Sequence, residues 1–229
     1  MSIRRKRSDL ALGPARALGV QGVRVIEAQS ASSSTVNDPV ASYTAARAGD
    51  LILALAFSGN AITTQAVTSP GLTFTEVSSA LHQGLTVVTA RAWSPDATAR
   101  SVTFESDASA STAVVVMVLR GVDPISPIDV TPAHTAHNAA SSFTVPSIDT
   151  QTARALAVLV AGSNDDNTLT APGPWTAQRV LNISTARAFG VWTSAVAAAG
   201  AIGTTVVTET VNGPDTAHSA VFAVRALAG

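Results

Sequence analysis

Leu51, Leu53, Leu55 and Phe57 fall on one side of an alternating segment, and Ile52, Ala54 and Ala56 fall on the other. A period of two marks a β-strand, whose successive side chains point to opposite faces. Val87, Thr89, Arg91 and Trp93 alternate in the same way with smaller residues across Thr86–Trp93. The stretch Ala113–Leu119 is apolar without alternation. A short β-branched run of that kind, bounded by turn signals, suits a strand covered on both faces. Helix patterns are weak. Ala195–Ala199 has helical propensity, but Gly200 and Gly203 follow at once.

The pattern occurs twice. Leu72-Thr-Phe-Thr-Glu-Val aligns with Trp175-Thr-Ala-Gln-Arg-Val, 103 positions on, and each follows a Pro/Gly turn. Ser101-Val-Thr-Phe aligns with Thr204-Thr-Val-Val at the same offset, and Val116-Met-Val-Leu-Arg120 with Val221-Phe-Ala-Val-Arg225 at 105. The first copy predicts strands near 23–28, 40–46, 51–57, 72–78, 85–93, 101–105 and 113–120. The second predicts them near 127–131, 143–148, 155–161, 175–181, 187–194, 204–209 and 219–226. Seven short strands in roughly 100 residues is the count for a β-sandwich. The expected fold is therefore all-β, with two sandwich repeats of jelly-roll or immunoglobulin-like type at 22–124 and 125–229. They stand either in tandem or fused into one larger sandwich. The junction Gly121-Val-Asp-Pro-Ile-Ser-Pro is too short for a free linker, so the copies should touch.

Composition sharpens this picture mainly by exclusion. Charged residues are 13% of the 229, against about 25% in an ordinary domain, and the net charge is −1. That balance lacks the basic footprint of a nucleic-acid binder. With no cysteine, disulfides and thiolate chemistry are excluded. The charge is unevenly laid out. Residues 1–21 carry Arg4, Arg5, Lys6, Arg7 and Arg16 against Asp9, a net of +4, which leaves −5 for the rest of the −1 total. This basic arm lacks strand alternation and reads as a contact for a neighbouring subunit, carried by Arg4, Arg5, Lys6 and Arg7. Within it, the stretch after the basic cluster is broken by Pro14 and Arg16, so no export signal and no membrane span is expected.

Candidate chemistry is sparse. There is no Gly-x-Ser-x-Gly elbow and no phosphate-cradling Gly-x-x-x-x-Gly-Lys. Glu27, Glu76, Glu105 and Glu209 lie in or beside predicted strands and read as outward positions, with Glu105 and Glu209 near equivalent points of the two copies. His134-Thr-Ala-His137 with Asp129 is the one metal-like cluster, but Pro132 and Ala139–Ser142 place it in a loop. Asp165-Asp-Asn lacks the glycine and glutamate of a calcium loop. No metal or cofactor is expected, and no enzymatic activity. Trp93, Trp192 and Tyr43 are candidate sugar-stacking platforms, whereas Trp175 sits where core filling is expected.

Ala48-Gly-Asp-Leu-Ile-Leu-Ala-Leu, the Pro/Gly turn into Leu72-Thr or Trp175-Thr, and Val118-Leu-Arg-Gly-Val-Asp-Pro-Ile-Ser-Pro-Ile-Asp-Val together resemble a β-rich repeat of bacteriophage virion proteins. Such repeats look like those of minor tail and head-decoration proteins, and some occur in bacterial surface proteins. The resemblance covers about residues 22–226; Arg154-Ala departs from it where the first copy has Gly49-Asp50. It implies a non-enzymatic structural protein on the particle exterior, made in the host cytoplasm. Its partners would be capsid or tail subunits and further copies of itself. The alternative reading is a carbohydrate-binding module for a host-surface glycan.

Overall fold

The continuous apolar runs become the middle strands of two sheets. In the first half, eight strands follow one another: β1 (Arg24–Ser33), β2 (Val40–Tyr43), β3 (Leu51–Ser58), β4 (Gln65–Thr68), β5 (Thr75–His82), β6 (Leu85–Trp93), β7 (Arg100–Ser106) and β8 (Thr112–Arg120). The second half contains β9 (Ile128–Ala140), β10 (Ser142–Val145), β11 (Ile148–Thr150), β12 (Leu156–Ser163), β13 (Leu169–Thr170), β14 (Thr176–Ser184), β15 (Arg187–Ala195), β16 (Gly200–Ile202), β17 (Thr205–Glu209) and β18 (Asp215–Val224). This computed structural model describes residues 22–35, 38–62, 64–107, 111–164, 168–184, 187–210 and 215–228. Arg4, Arg5, Lys6 and Arg7 of the arm, and Asp165-Asp-Asn, lie outside the described residues.

The fold is all-β, and the described residues contain no helix. Ala195 ends β15, and bends replace the helical turn that the alanine run suggested. Five strands of the first half form an antiparallel sheet in the order β1-β8-β3-β6-β5, and β2-β7-β4 form a second. The second half has β9-β18-β12-β15-β14 and β10-β17-β13, plus the short pair β11-β16. Taking β9, β18, β12, β15 and β14 as counterparts of β1, β8, β3, β6 and β5 gives the same order in both large sheets.

Three cores separate four layers. The two five-stranded sheets face each other, and Leu51, Leu53, Leu55 and Phe57 of β3 meet Leu156, Val158 and Val160 of β12 in the central core. The opposite face of β3, with Ile52, Ala54 and Ala56, packs with Tyr43, Val102 and Phe104 under the outer sheet of the first half. Ala157, Leu159 and Trp192 do the same with Phe143 and Val207 in the second. This explains why β3 and β12 are buried at every position. It also explains Ala113–Leu119, whose odd residues enter the central core and whose Val114, Val116 and Val118 enter the outer one. Along the seams, β1 lies against β14 and β5 against β9. Since β1 and β9 are counterparts, as are β14 and β5, exchanging the halves maps one seam onto the other.

The junction between the halves is tied down. Asp123 accepts from the backbone amides of Ile125 and Ser126, and backbone bonds join Asp123 to Arg225 and Leu227 to Gly121.

Gly49, just before β3, has φ +83°, a left-handed conformation that glycine adopts freely. Its counterpart before β12 is Arg154, which adopts φ +63° despite its side chain. The Arg154 side chain is exposed. Arg154→Gly is therefore expected to stabilise the protein by about 1 kcal/mol. Thermal unfolding should register this as a rise of about 2–4 °C; a fall would show that unfolded-state entropy outweighs the strain.

Candidate functional site

Several groups with possible chemistry are held in structural roles. Glu27 on β1 accepts hydrogen bonds from the amides of Thr44 and Ala45 and from Gln29. Partial burial opposes its charge, but these bonds outweigh it and keep the carboxyl below its ordinary value. Glu105 is exposed on β7 and accepts from Thr68, and Glu76 is exposed on β5. Glu209 is buried, contrary to the outward position its strand suggested. The ladders account for the difference. Val102 and Phe104 point inward on β7, as do Thr205 and Val207 on β17, which fixes the offset at 103. At that offset Glu105 matches Thr208, and Glu209 falls one place further on, facing the core.

The metal-like cluster comes apart. His134 and His137 lie on β9, a strand where a loop was expected, and they face opposite sides. His137 points into the outer core of the second half, where it meets Ser219 at 3.0 Å and its ring lies 4.7 Å from Phe143. His134 points across the seam to Ser78 on β5, at 3.2 Å. Asp129 joins neither histidine. Its carboxylate accepts from the amides of Gln151 and Thr152, the Thr152 hydroxyl and Arg225. Among the described residues no group of three or more His, Asp or Glu is placed to hold a metal ion.

The aromatic platforms are turned inward. Tyr43 and Trp192 are buried, at 0% and 2% exposure. Trp175 is buried as core filling, and its indole Nε1 donates to the Thr205 hydroxyl at 2.6 Å. An open groove of about 610 Å³ beside it is lined by Pro172, Pro174, Val196 and Ile202. Only Trp93, packed against the central core, keeps a partly exposed ring. A sugar face therefore cannot stack on Trp192 or Tyr43.

What the structure gathers, and the sequence spacing did not suggest, is a histidine-lined seam. His82 ends β5, His134 lies on β9 and His218 on β18. The His218 ring centroid is 5.3 Å from that of His134 and 6.3 Å from that of His82. His82 also meets Asn138 at 3.1 Å, and Thr216 donates to Gln83 at 3.1 Å, both across the seam. These residues are distant in sequence, and only the stacking of two sheets brings them together. The opposite seam is closed by Arg179 of β14, which donates to the Ala28 carbonyl and to Gln29 of β1. Comparison of the chain with protein-family models, with characterised proteins and with solved structures finds no match.

Proposed function

We propose that this chain is a non-enzymatic structural protein of a bacteriophage particle, on the exterior of the head or tail. In this reading it is built as a duplicated β-sandwich. It assembles with capsid or tail subunits, and with further copies of itself, through its sandwich surfaces and through Arg4, Arg5, Lys6 and Arg7. The observation that carries the reading is the allocation of its polar groups. Glu27 and Asp129 hold backbone amides, Glu76 and Glu105 are exposed on strands, Trp175 and Trp192 fill cores, and the histidines stand at or behind an internal seam. The resemblance of residues 22–226 to virion repeats supplies the setting.

Antibody labelling of purified particles in the electron microscope tests the setting; particles without the protein would overturn it. Deletion of residues 1–21 tests the arm. The truncated protein is expected to keep its β circular-dichroism signature but to enter particles at a reduced level. Normal incorporation would remove the arm from the assembly contact.

A further inference from the structure

All four histidines of the chain, His82, His134, His137 and His218, stand at or directly behind one of the two seams. His218 is 2% exposed, and its Nδ1 and that of His134 are buried without a hydrogen-bond partner among the described residues. A neutral imidazole tolerates this, because one ring nitrogen carries no proton. Protonation turns each orphaned nitrogen into a buried donor with no acceptor, and sets two positive rings 5.3 Å apart. The groups facing His218 offer no compensating charge. From β5 it meets His82, from β9 His134 and, through the sheet, His137; from β6 the backbone of Leu85 favours the charged ring, but burial and His134 outweigh it. Glu76, the carboxylate of β5, is exposed, and Asp215 stands three residues away at the start of its own strand.

We infer that the seam where β5 meets β9 and β18 is a pH-sensitive latch, closed while its imidazoles are neutral and opened by mild acid, while the β1–β14 seam stays shut. The asymmetry follows from what closes each side. The β1–β14 seam is held by the bonds from Arg179 to Ala28 and Gln29, and no imidazole takes part in them. On the other side, burial first and then the neighbouring His134 push the His218 ring down to about 4 from an ordinary 6.5. Burial also lowers His134 and His137. With folded values below unfolded ones, the seam contributes its full stability above about pH 6.5. It loses that stability as the pH falls, and the loss is complete near the folded value. The latch does not depend on the reading of the chain as a particle protein.

Hydrogen–deuterium exchange of the full chain, compared between strands at each pH, tests it. From about pH 7.5 to about pH 4.5, protection of β5 and β9 should fall at least about tenfold relative to β1 and β14. A flat ratio would overturn the latch. His218→Leu, which keeps the volume and removes the charge, should flatten the ratio, and so in part should His134→Gln at a half-buried ring; an unchanged pH response in both variants would overturn it. A ring titration by NMR gives a further check that needs no variant, since a His218 midpoint at or above about 6.5 would overturn the latch.

Discussion

Gly162→Val should cost more than about 3 kcal/mol, the upper range for overpacking a core, and part of that loss should return when Phe57 is also replaced by alanine. The reason lies in one row of side chains across each large sheet. In the first half the row is Val87, Phe57 and Ala113, and in the second it is Phe189, Gly162 and His218. The two rows are counterparts with their sizes exchanged. The Phe57 ring stacks on Phe189 at 5.4 Å, and any Cβ added to Gly162 would overlap it. A close-packed interior has no slack for that atom. Phe57→Ala alone should cost about 3–5 kcal/mol by opening a cavity. In the double variant the valine occupies part of that space, so the two losses should fall short of their sum by at least about 1 kcal/mol. Denaturant unfolding of the four proteins measures the coupling, and simple additivity would refute the knob-and-trough contact. The same rows explain why the halves do not interchange. Two first halves would set Phe57 against Phe57, and two second halves would leave a void between facing glycines.

The parts of this architecture that depend on pattern alone were legible in the sequence. The unbroken apolar run Ala113–Leu119 marked β8 as a strand covered on both sides, alternation marked β3 as a strand without showing that both its faces are buried, and β6 has the predicted bounds 85–93. Where the sequence misled, the cause is local. Pro132 and the polar residues after it read as a loop, yet β9 runs through them for 13 residues. A proline is tolerated there because β9 is the edge of its sheet and the ladder shifts register between Val130 and Ala133. The short strands β4, β13 and β16 have only 2–4 residues each, too few to show a period. The histidine seam was illegible for a different reason. The only close pair in sequence, His134 and His137, is the pair that a strand sends to opposite faces. His82 and His218 join His134 only through the stacking of two sheets.

Asp129→Ala is expected to cost about 3–5 kcal/mol, from the loss of one ion pair and of three further hydrogen bonds to a buried carboxylate. Restoring an acidic partner to the arginine elsewhere should recover only a part. In the first half, Arg120 at the end of β8 is paired with Asp50 just before β3, through bonds of 2.6 and 2.8 Å. In the second half Arg225 is the counterpart of Arg120, but Ala155 occupies the place of Asp50. Arg225 turns instead to Asp129 on the edge strand β9, at 3.2 Å. The Asp129 side chain has 0% exposure, whereas that of Arg225 has 29%. Loss of the carboxylate therefore leaves the arginine within reach of water. The amides of Gln151 and Thr152 and the Thr152 hydroxyl, which donate to it at 2.7, 3.2 and 3.0 Å, lose their charged acceptor together. Most of the cost should come from those three donors, since a hydrogen bond to a charged group is worth about 1.5–3 kcal/mol while an ion pair open to solvent is worth about 1. The double variant Asp129→Ala with Ala155→Asp recreates the first-half pairing and should regain about 1 kcal/mol by chemical denaturation. Exchange at the Gln151 and Thr152 amides should stay fast in it. Complete recovery would reverse the assignment and place the stability in the ion pair; a cost under about 1 kcal/mol for Asp129→Ala would remove both roles.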